Sequence, residues 1–293
     1  MGNFPEGACM ILKSVRGHYT IVFPDGLMQE CPARGILNRK GRELYTGDFV
    51  RVENGVISEV LPRKNEIIRP PLANLDQLCF VVSMCEPQPN LRLLDKFIAV
   101  SLYKHIQPLL LLTKIDLASC EEILKLYQSI GIPVLVVDYQ KLETLAVVRD
   151  VFRGKISALT GNSGAGKSTL LNALDERLRI PTGEISQKLG RGKHTTRQAQ
   201  LYALEDGGYI ADTPGFSTFE TMRYAVIRKE ELADCFIEFS AYQGQCRFHD
   251  CSHTCEKGCS VLDAVRDGKI PASRHESYCA MYEEAKQIRE WEL

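Results

Sequence analysis

The sequence predicts three successive units: a small all-β barrel over residues 1–70, an α/β domain with a mostly parallel sheet over 71–220, and a helical domain over 221–293 built on a Cys/His knuckle. Three observations predict this. Short apolar runs separated by turn residues fill the first 70 positions, as in a small closed sheet. From Leu75 apolar runs alternate with helical patterns, as in a parallel sheet covered on both faces. Beyond about residue 220 that alternation stops, and cysteines and histidines gather between Cys246 and Cys259.

In the first unit the strand candidates are Gly7–Val15, His18–Phe23, Asp48–Glu53 and Gly55–Leu61. Arg16-Gly17, Pro24-Asp25-Gly26, Lys40-Gly41 and Glu53-Asn54-Gly55 supply the turns. The pattern suits an OB-fold and an SH3-like barrel equally, and Arg69-Pro70-Pro71 reads as a linker. In the second unit Gln77–Met84 is a buried strand, Leu91–Tyr103 a helix and Gln107–Leu112 a strand. Glu121–Ile130 is a helix with apolar residues at Ile123, Leu124, Leu126 and Ile130, and Pro133–Val137 a further strand. Lys155–Thr160 is a strand running into a glycine-rich loop, Lys167–Leu174 the helix after it, and Gly208–Ala211 a strand. The last unit holds helices Val261–Arg266 and Ser273–Trp291, the second with Tyr278, Met281, Tyr282, Ala285 and Ile288 on one face.

With 293 residues the chain has material for several cores, and its 44% apolar and 25% charged content is that of an ordinary soluble protein. A net charge of −1 excludes a global basic field, so nucleic-acid binding requires local patches. No apolar run reaches the roughly 18–20 residues of a membrane span. The start, MGNFPEGACMILKSVRG, has no secretory signal, and Pro5 and Glu6 suit myristoylation at Gly2 poorly. Cys79, Cys85 and Cys120 stand singly in apolar stretches and read as free thiols. The expectation is a cytoplasmic protein without membrane contact.

Gly161-Asn162-Ser163-Gly164-Ala165-Gly166-Lys167-Ser168 matches GxxxxGK[ST] between a strand and a helix. The glycines let backbone N–H groups curl around phosphate oxygens, and the helix N-terminus adds its dipole. Lys167 is expected at the β- and γ-phosphates and Ser168 on Mg²⁺, with Thr169 next to them. Asp212-Thr213-Pro214-Gly215 follows a strand; Asp212 would hold Mg²⁺ through water and the Gly215 N–H would meet the γ-phosphate. Between these motifs, Gly190-Arg191-Gly192-Lys193-His194-Thr195-Thr196-Arg197 has the character of a mobile switch, with Thr195 or Thr196 as a Mg²⁺ ligand. Thr113-Lys114-Ile115-Asp116 matches [NT]KxD after a buried strand. The Asp116 carboxylate can accept from guanine N1–H and N2–H₂ together, a donor pair adenine lacks, while Lys114 lies along the base.

In an ordinary GTPase the base-reading motif follows DxxG. Here it precedes the P-loop, so the expected core is circularly permuted. The chain leaves that core just after DTPG and enters the C-terminal unit, to which nucleotide state would pass mechanically.

The order TKID, GNSGAGKS, GRGKHTT, DTPGF resembles the bacterial ribosome small-subunit-dependent GTPase A family, over essentially the whole chain. The resemblance implies an N-terminal OB-fold, a permuted GTPase core that binds GTP and GDP, and a C-terminal zinc knuckle. It implies late maturation of the small (30S) ribosomal subunit through binding to it and its 16S rRNA, among other assembly factors; a monomer is expected. Two features depart from common GTPase patterns. Val136-Val137-Asp138-Tyr139 stands where a Ser-Ala base contact is usual, and Phe216 follows DTPG where many GTPases carry a water-orienting Gln. A phenyl ring can neither position nor deprotonate water, so intrinsic hydrolysis should be slow and rise when a partner orders the loops. His194 is the one nearby side chain able to handle a proton.

Cys246, Cys251, His253 and Cys259 supply three thiolates and an imidazole, a closed tetrahedral Zn²⁺ set of structural type. Cys255 and His249 share the stretch; the resemblance implies the first four as ligands. Arg34, Arg39, Lys40 and Arg42, with Tyr45 and Phe49 close by, suit RNA on a barrel surface. The competing reading is a GTP-timed binding module for another RNA or protein. A nucleotide kinase is disfavoured by Asp116 and DTPG and by the lack of a recognisable acceptor site and lid.

Overall fold

The computed structural model describes residues 4–15, 17–34, 43–178, 199–212 and 226–288. The N-terminal strands are β1 (Cys9–Val15), β2 (His18–Val22), β3 (Met28–Pro32), β4 (Phe49–Glu53) and β5 (Val56–Val60). All their pairings are antiparallel: β1 with β2 and β4, β2 with β3, β4 with β5. A bridge between Ala33 and Ile57 brings the end of β3 to β5 and closes the strands on themselves. The continuous apolar run at the start of β1 has a reason: Cys9 and Ile11 face the barrel core, while Met10 and Leu12 join the core of the next unit. The sequence offers no signal for β3 because only Cys31 of its five residues is buried.

Arg69-Pro70-Pro71 is not a loose linker. It lies in the turn between β6 (Glu66–Ile67) and β7 (Leu72–Ala73), a two-stranded ladder whose Leu72 is fully buried. Buried Asp48 fastens this region, accepting from Arg63 Nε at 2.7 Å and Tyr45 N at 2.7 Å.

The central elements are β8 (Gln77–Ser83), α1 (Leu91–Tyr103), β9 (Gln107–Thr113), α2 (Glu121–Ser129), β10 (Val134–Val136), α3 (Leu142–Phe152), β11 (Ile156–Thr160), α4 (Lys167–Leu174), β12 (Gln200–Ala203) and β13 (Tyr209–Asp212). The sheet order is β10-β9-β8-β11-β13-β12, parallel except for β12. Strand β11 is central, flanked on one side by strands that precede it and on the other by strands that follow. Asn90 caps α1, its Oδ1 accepting from Leu93 N at 3.0 Å. Helix α3 has no sequence-level prediction because apolar residues fall outside its inward face: Leu145, Val148 and Phe152 are buried, yet Leu142 and Val147 are exposed beside Glu143 and Asp150.

The sheet does not stop at β12. That strand pairs with β1, so among the described residues eleven strands form one continuous sheet. Thr46 Oγ1 donates to the Ala199 carbonyl at 3.0 Å beside this joint, and Phe4 packs edge-on against Phe49 and Tyr209.

In the C-terminal unit, α5 (Ser260–Arg266) and α6 (Ala272–Lys286) follow two short 3₁₀ turns at Ala233–Cys235 and Ile237–Phe239. Phe236, Phe239, Val261, Tyr278 and Met281 pack with Ala99 and Val100 of α1. The expected end of α6 at Trp291 lies outside the described residues, and the helix finishes at Lys286. Its inward face carries Arg274 and Ser277 as well as Tyr278 and Met281. Arg274 is completely buried: Nη1 meets Asp95 of α1 at 2.8 Å, Nε meets Glu238 at 2.7 Å, and the guanidinium lies 4.5 Å over Phe236. Tyr127 of α2 completes the cluster, donating to Asp95 at 2.8 Å. Among the described residues no helix is long and apolar enough to cross a membrane.

Candidate functional site

Parallel strands carry their C-terminal ends to one edge of the sheet, where ligands of open α/β folds bind. Here β11 ends at the P-loop, β9 at Thr113-Lys114-Ile115-Asp116, β10 at Asp138-Tyr139 and β13 at Asp212. Four segments dispersed over a hundred residues thus reach one edge.

The P-loop backbone needs its glycines. A Cβ on Gly161 would sit 2.4 Å from the Val81 carbonyl oxygen, and Gly166, the N-cap of α4, has a left-handed φ of 96°. Lys167 Nζ donates to the Gly161 and Asn162 carbonyls at 2.7 and 2.8 Å. Ser163, Gly164 and Thr169 are exposed, and Ser168 is half-buried at the helix start.

Thr113 is fully buried and points at the P-loop. Its Oγ1 donates to the Ala165 carbonyl at 2.7 Å, with Val82 O at 3.3 Å. The first residue of the base-reading motif therefore fastens the phosphate-binding loop. Lys114 adopts a left-handed φ of 56°, and its Nζ donates to the Glu86 carbonyl; strained backbone of this kind concentrates at ligand-binding positions. Ile115 packs against the core and anchors the loop, and Asp116 next to it is exposed. The Tyr139 hydroxyl, buried without a hydrogen-bond partner, lies 3.6 Å from where a Cβ on Gly166 would stand. Burial pushes its pKa up to about 12.

In the C-terminal unit, the ligand atoms of Cys246, Cys251, His253 and Cys259 lie within 4.8 Å of one another. His253 Nδ1 is 3.5 Å from Cys246 Sγ and 3.4 Å from Cys259 Sγ, and those two sulfurs are 3.9 Å apart. Zinc bonds of about 2.3 Å to sulfur and 2.0–2.1 Å to nitrogen require tetrahedral edges of roughly 3.8 and 3.5 Å. The donor set fits such an ion. Burial lowers the His253 pKa, which favours the neutral imidazole that coordinates metal. Cys259 also caps α5, its sulfur accepting from Leu262 N at 3.5 Å. Cys255 and His249 are exposed and outside this group. The loop is tied by Glu256, which also accepts from the Thr254 amide: burial opposes its ionisation, but bonds from Ser252 Oγ and from the Ser252, Cys255 and Glu256 amides outweigh that and hold its pKa at about 2.

The family model described as RsgA GTPase matches residues 60–222. The chain belongs to the RsgA GTPase family. Full-length relatives agree. The small ribosomal subunit biogenesis GTPase RsgA of Alkaliphilus metalliredigens is 38% identical over 291 residues, covering 96% of this chain and 98% of the relative. The protein of that name from Caldanaerobacter subterraneus subsp. tengcongensis is 38% identical, covering 94% and 95%. Among solved structures, YjeQ from Thermotoga maritima superposes with a TM-score of 0.81 at 30% identity, covering 96% of this chain and 99% of that one. YloQ, described as a circularly permuted GTPase, gives 0.79 at 30%, covering 96% of each chain. The protein is a GTPase.

For this RsgA family member, the site residues expected from sequence divide three ways. Residues 113–116 and 161–169 and the end of β13 share the sheet edge. His194, Thr195, Thr196, Gly215 and Phe216 lie outside the described residues, as do Arg39, Lys40 and Arg42. The aromatic side of the RNA surface requires correction at Tyr45, which is buried under Arg63, the guanidinium 3.9 Å from the ring, and offers no free face to a base. Phe49 is half-buried and meets Phe4 edge-on. Arg34 is exposed and paired with Glu53 at 2.7 Å. Sequence reading places Tyr139 where a Ser-Ala base contact is usual and gives its side chain no role; the buried hydroxyl beside Gly166 becomes visible only in the fold.

Proposed function

We propose that this GTPase assists late maturation of the small ribosomal subunit, binding that subunit and its 16S rRNA and hydrolysing GTP slowly until the subunit stimulates it. The observation that carries the reading is the bond from Thr113 Oγ1 to the Ala165 carbonyl, which couples a guanine-reading loop to a phosphate-binding loop. The names of the relatives supply the subunit. In this reading Asp116 accepts from guanine and Lys114 lines the base. Residues Gly161 to Thr169 hold the phosphates, with Lys167 at the β- and γ-phosphates. Ser168 and Asp212 serve Mg²⁺, directly and through water. Gly215 and Thr195 or Thr196 sense the γ-phosphate, and His194 is the proton-handling candidate.

The metal of the Cys/His cluster is a structural Zn²⁺ in this proposal, since four protein ligands leave no open position. The chain divides into an OB-fold over residues 1–70, the permuted GTPase domain over 71–220 and the zinc domain over 221–293. The curled antiparallel strands β1–β5 support the first of these. It works as a cytoplasmic monomer alongside other assembly factors.

The test is steady-state GTP hydrolysis by the purified chain with and without purified small subunits. Phosphate should go to water, at a rate that rises with small subunits and not with large ones. An unchanged rate would remove the ribosomal reading and favour a GTP-timed module acting elsewhere.

A further inference from the structure

Buried hydroxyls almost always find a partner, because leaving one unpaired in the protein interior is costly. Tyr139 Oη is an exception among the described residues, and it lies where the base-reading and phosphate-binding loops meet. From the point a Cβ on Gly166 would occupy, Tyr139 Oη is at 3.6 Å and Thr113 Oγ1 at 3.8 Å. Thr113 has a single hydroxyl proton, already engaged by the Ala165 carbonyl at 2.7 Å. The alternative first residue of an [NT]KxD motif, asparagine, carries two amide protons and can serve the loop and a ligand at once. A threonine cannot. The site is therefore one donor short on the Thr113 side, and a spare donor stands next to it.

We propose that the Tyr139 hydroxyl donates a hydrogen bond to N7 of the bound guanine, as the second donor that Thr113 lacks. This rests on the reading that Asp116 accepts from guanine N1–H and N2–H₂. With Asp116 on that edge, the opposite edge offers acceptors at N7 and O6. Burial keeps the hydroxyl protonated and thus a donor at neutral pH. Adenine also carries N7, so Tyr139 adds affinity and leaves the choice of base to Asp116.

The experiment is calorimetric titration of the full, zinc-loaded chain with GDP and with 7-deaza-GDP, in which N7 is replaced by C–H. The wild type should bind 7-deaza-GDP about 3- to 10-fold more weakly than GDP, the worth of one neutral hydrogen bond. Tyr139→Phe should bind GDP weaker by the same factor and treat the two nucleotides alike. Equal binding of both nucleotides by the wild type overturns the proposal, as does a Tyr139→Phe variant with wild-type GDP affinity or a retained N7 preference. ADP bound as tightly as GDP by the wild type would instead sink the guanine reading itself. Because Tyr139 Oη makes no bond within the fold, the phenylalanine variant should keep its thermal midpoint.

Discussion

Replacing Arg274 by methionine should loosen the C-terminal unit from the GTPase core. The guanidinium is fully buried, and its partners Asp95 and Glu238 have side chains only 1% and 5% exposed. Methionine keeps an apolar stem over Phe236 but removes the cation, leaving two carboxylates in an apolar setting. Asp95 retains only the Tyr127 hydroxyl. Breaking a buried ion cluster by removing one member costs about 3–5 kcal/mol, mostly because the survivors stay uncompensated. At about 1.4 kcal/mol per tenfold change, the opening equilibrium of this interface should rise by roughly two to three and a half powers of ten. Amide hydrogen exchange along α1 and α6 reads that change. Adding Asp95→Asn and Glu238→Gln to Arg274→Met should recover most of the loss, since the buried charges are then gone. A cost under about 1 kcal/mol, or a triple variant no better than the single one, would refute the account.

Three further outcomes follow from the sites. Thr113→Val removes the proton that holds the Ala165 carbonyl and should weaken GDP binding by up to about 100-fold, from a loss of about 1–3 kcal/mol, while Thr113→Ser stays near wild type in the same titration. Asp116→Asn should lower GTP affinity by about 100-fold or more and raise affinity for xanthine nucleotides, whose C2 carbonyl accepts where guanine donates; competition binding measures both. Glu256→Gln should lower the thermal midpoint at neutral pH. The Glu256 pKa is depressed from 4.5 to about 2, so its contribution is complete above 4.5 and disappears as pH falls toward 2, where the two proteins should converge.

The chemistry-bearing segments were legible because each is short in sequence. The P-loop, TKID and the four metal-ligand candidates are local patterns, and helices α1 and α4 match their predicted bounds. What escaped depends on partners far along the chain. Strand β3 has one buried residue and is a strand because β2 pairs with it. Helix α3 mixes Leu142 and Val147 with Glu143 and Asp150 on its exposed side, which blurs its period. Arg274 meets a carboxylate 179 positions away, and its burial is invisible until α6 packs on α1. Tyr45 shows the opposite error: an aromatic residue near a basic stretch looks like a stacking surface, yet it is buried under Arg63.

The pairing of β12 with β1 bears on how this protein can be taken apart. A strand at the margin of a sheet offers unpaired N–H and C=O groups to any neighbouring chain. Here β1 covers that margin, and Met10, Leu12 and Val22 share a core with Leu78, Phe80 and Leu201. A fragment beginning at residue 71 would retain every nucleotide-binding motif while exposing both the β12 edge and the apolar patch under β1. Such a piece is expected to self-associate at the concentrations used for binding work, and supplying residues 1–70 in trans should suppress it. For the cell, a nascent chain has made its own edge cover before β12 leaves the ribosome.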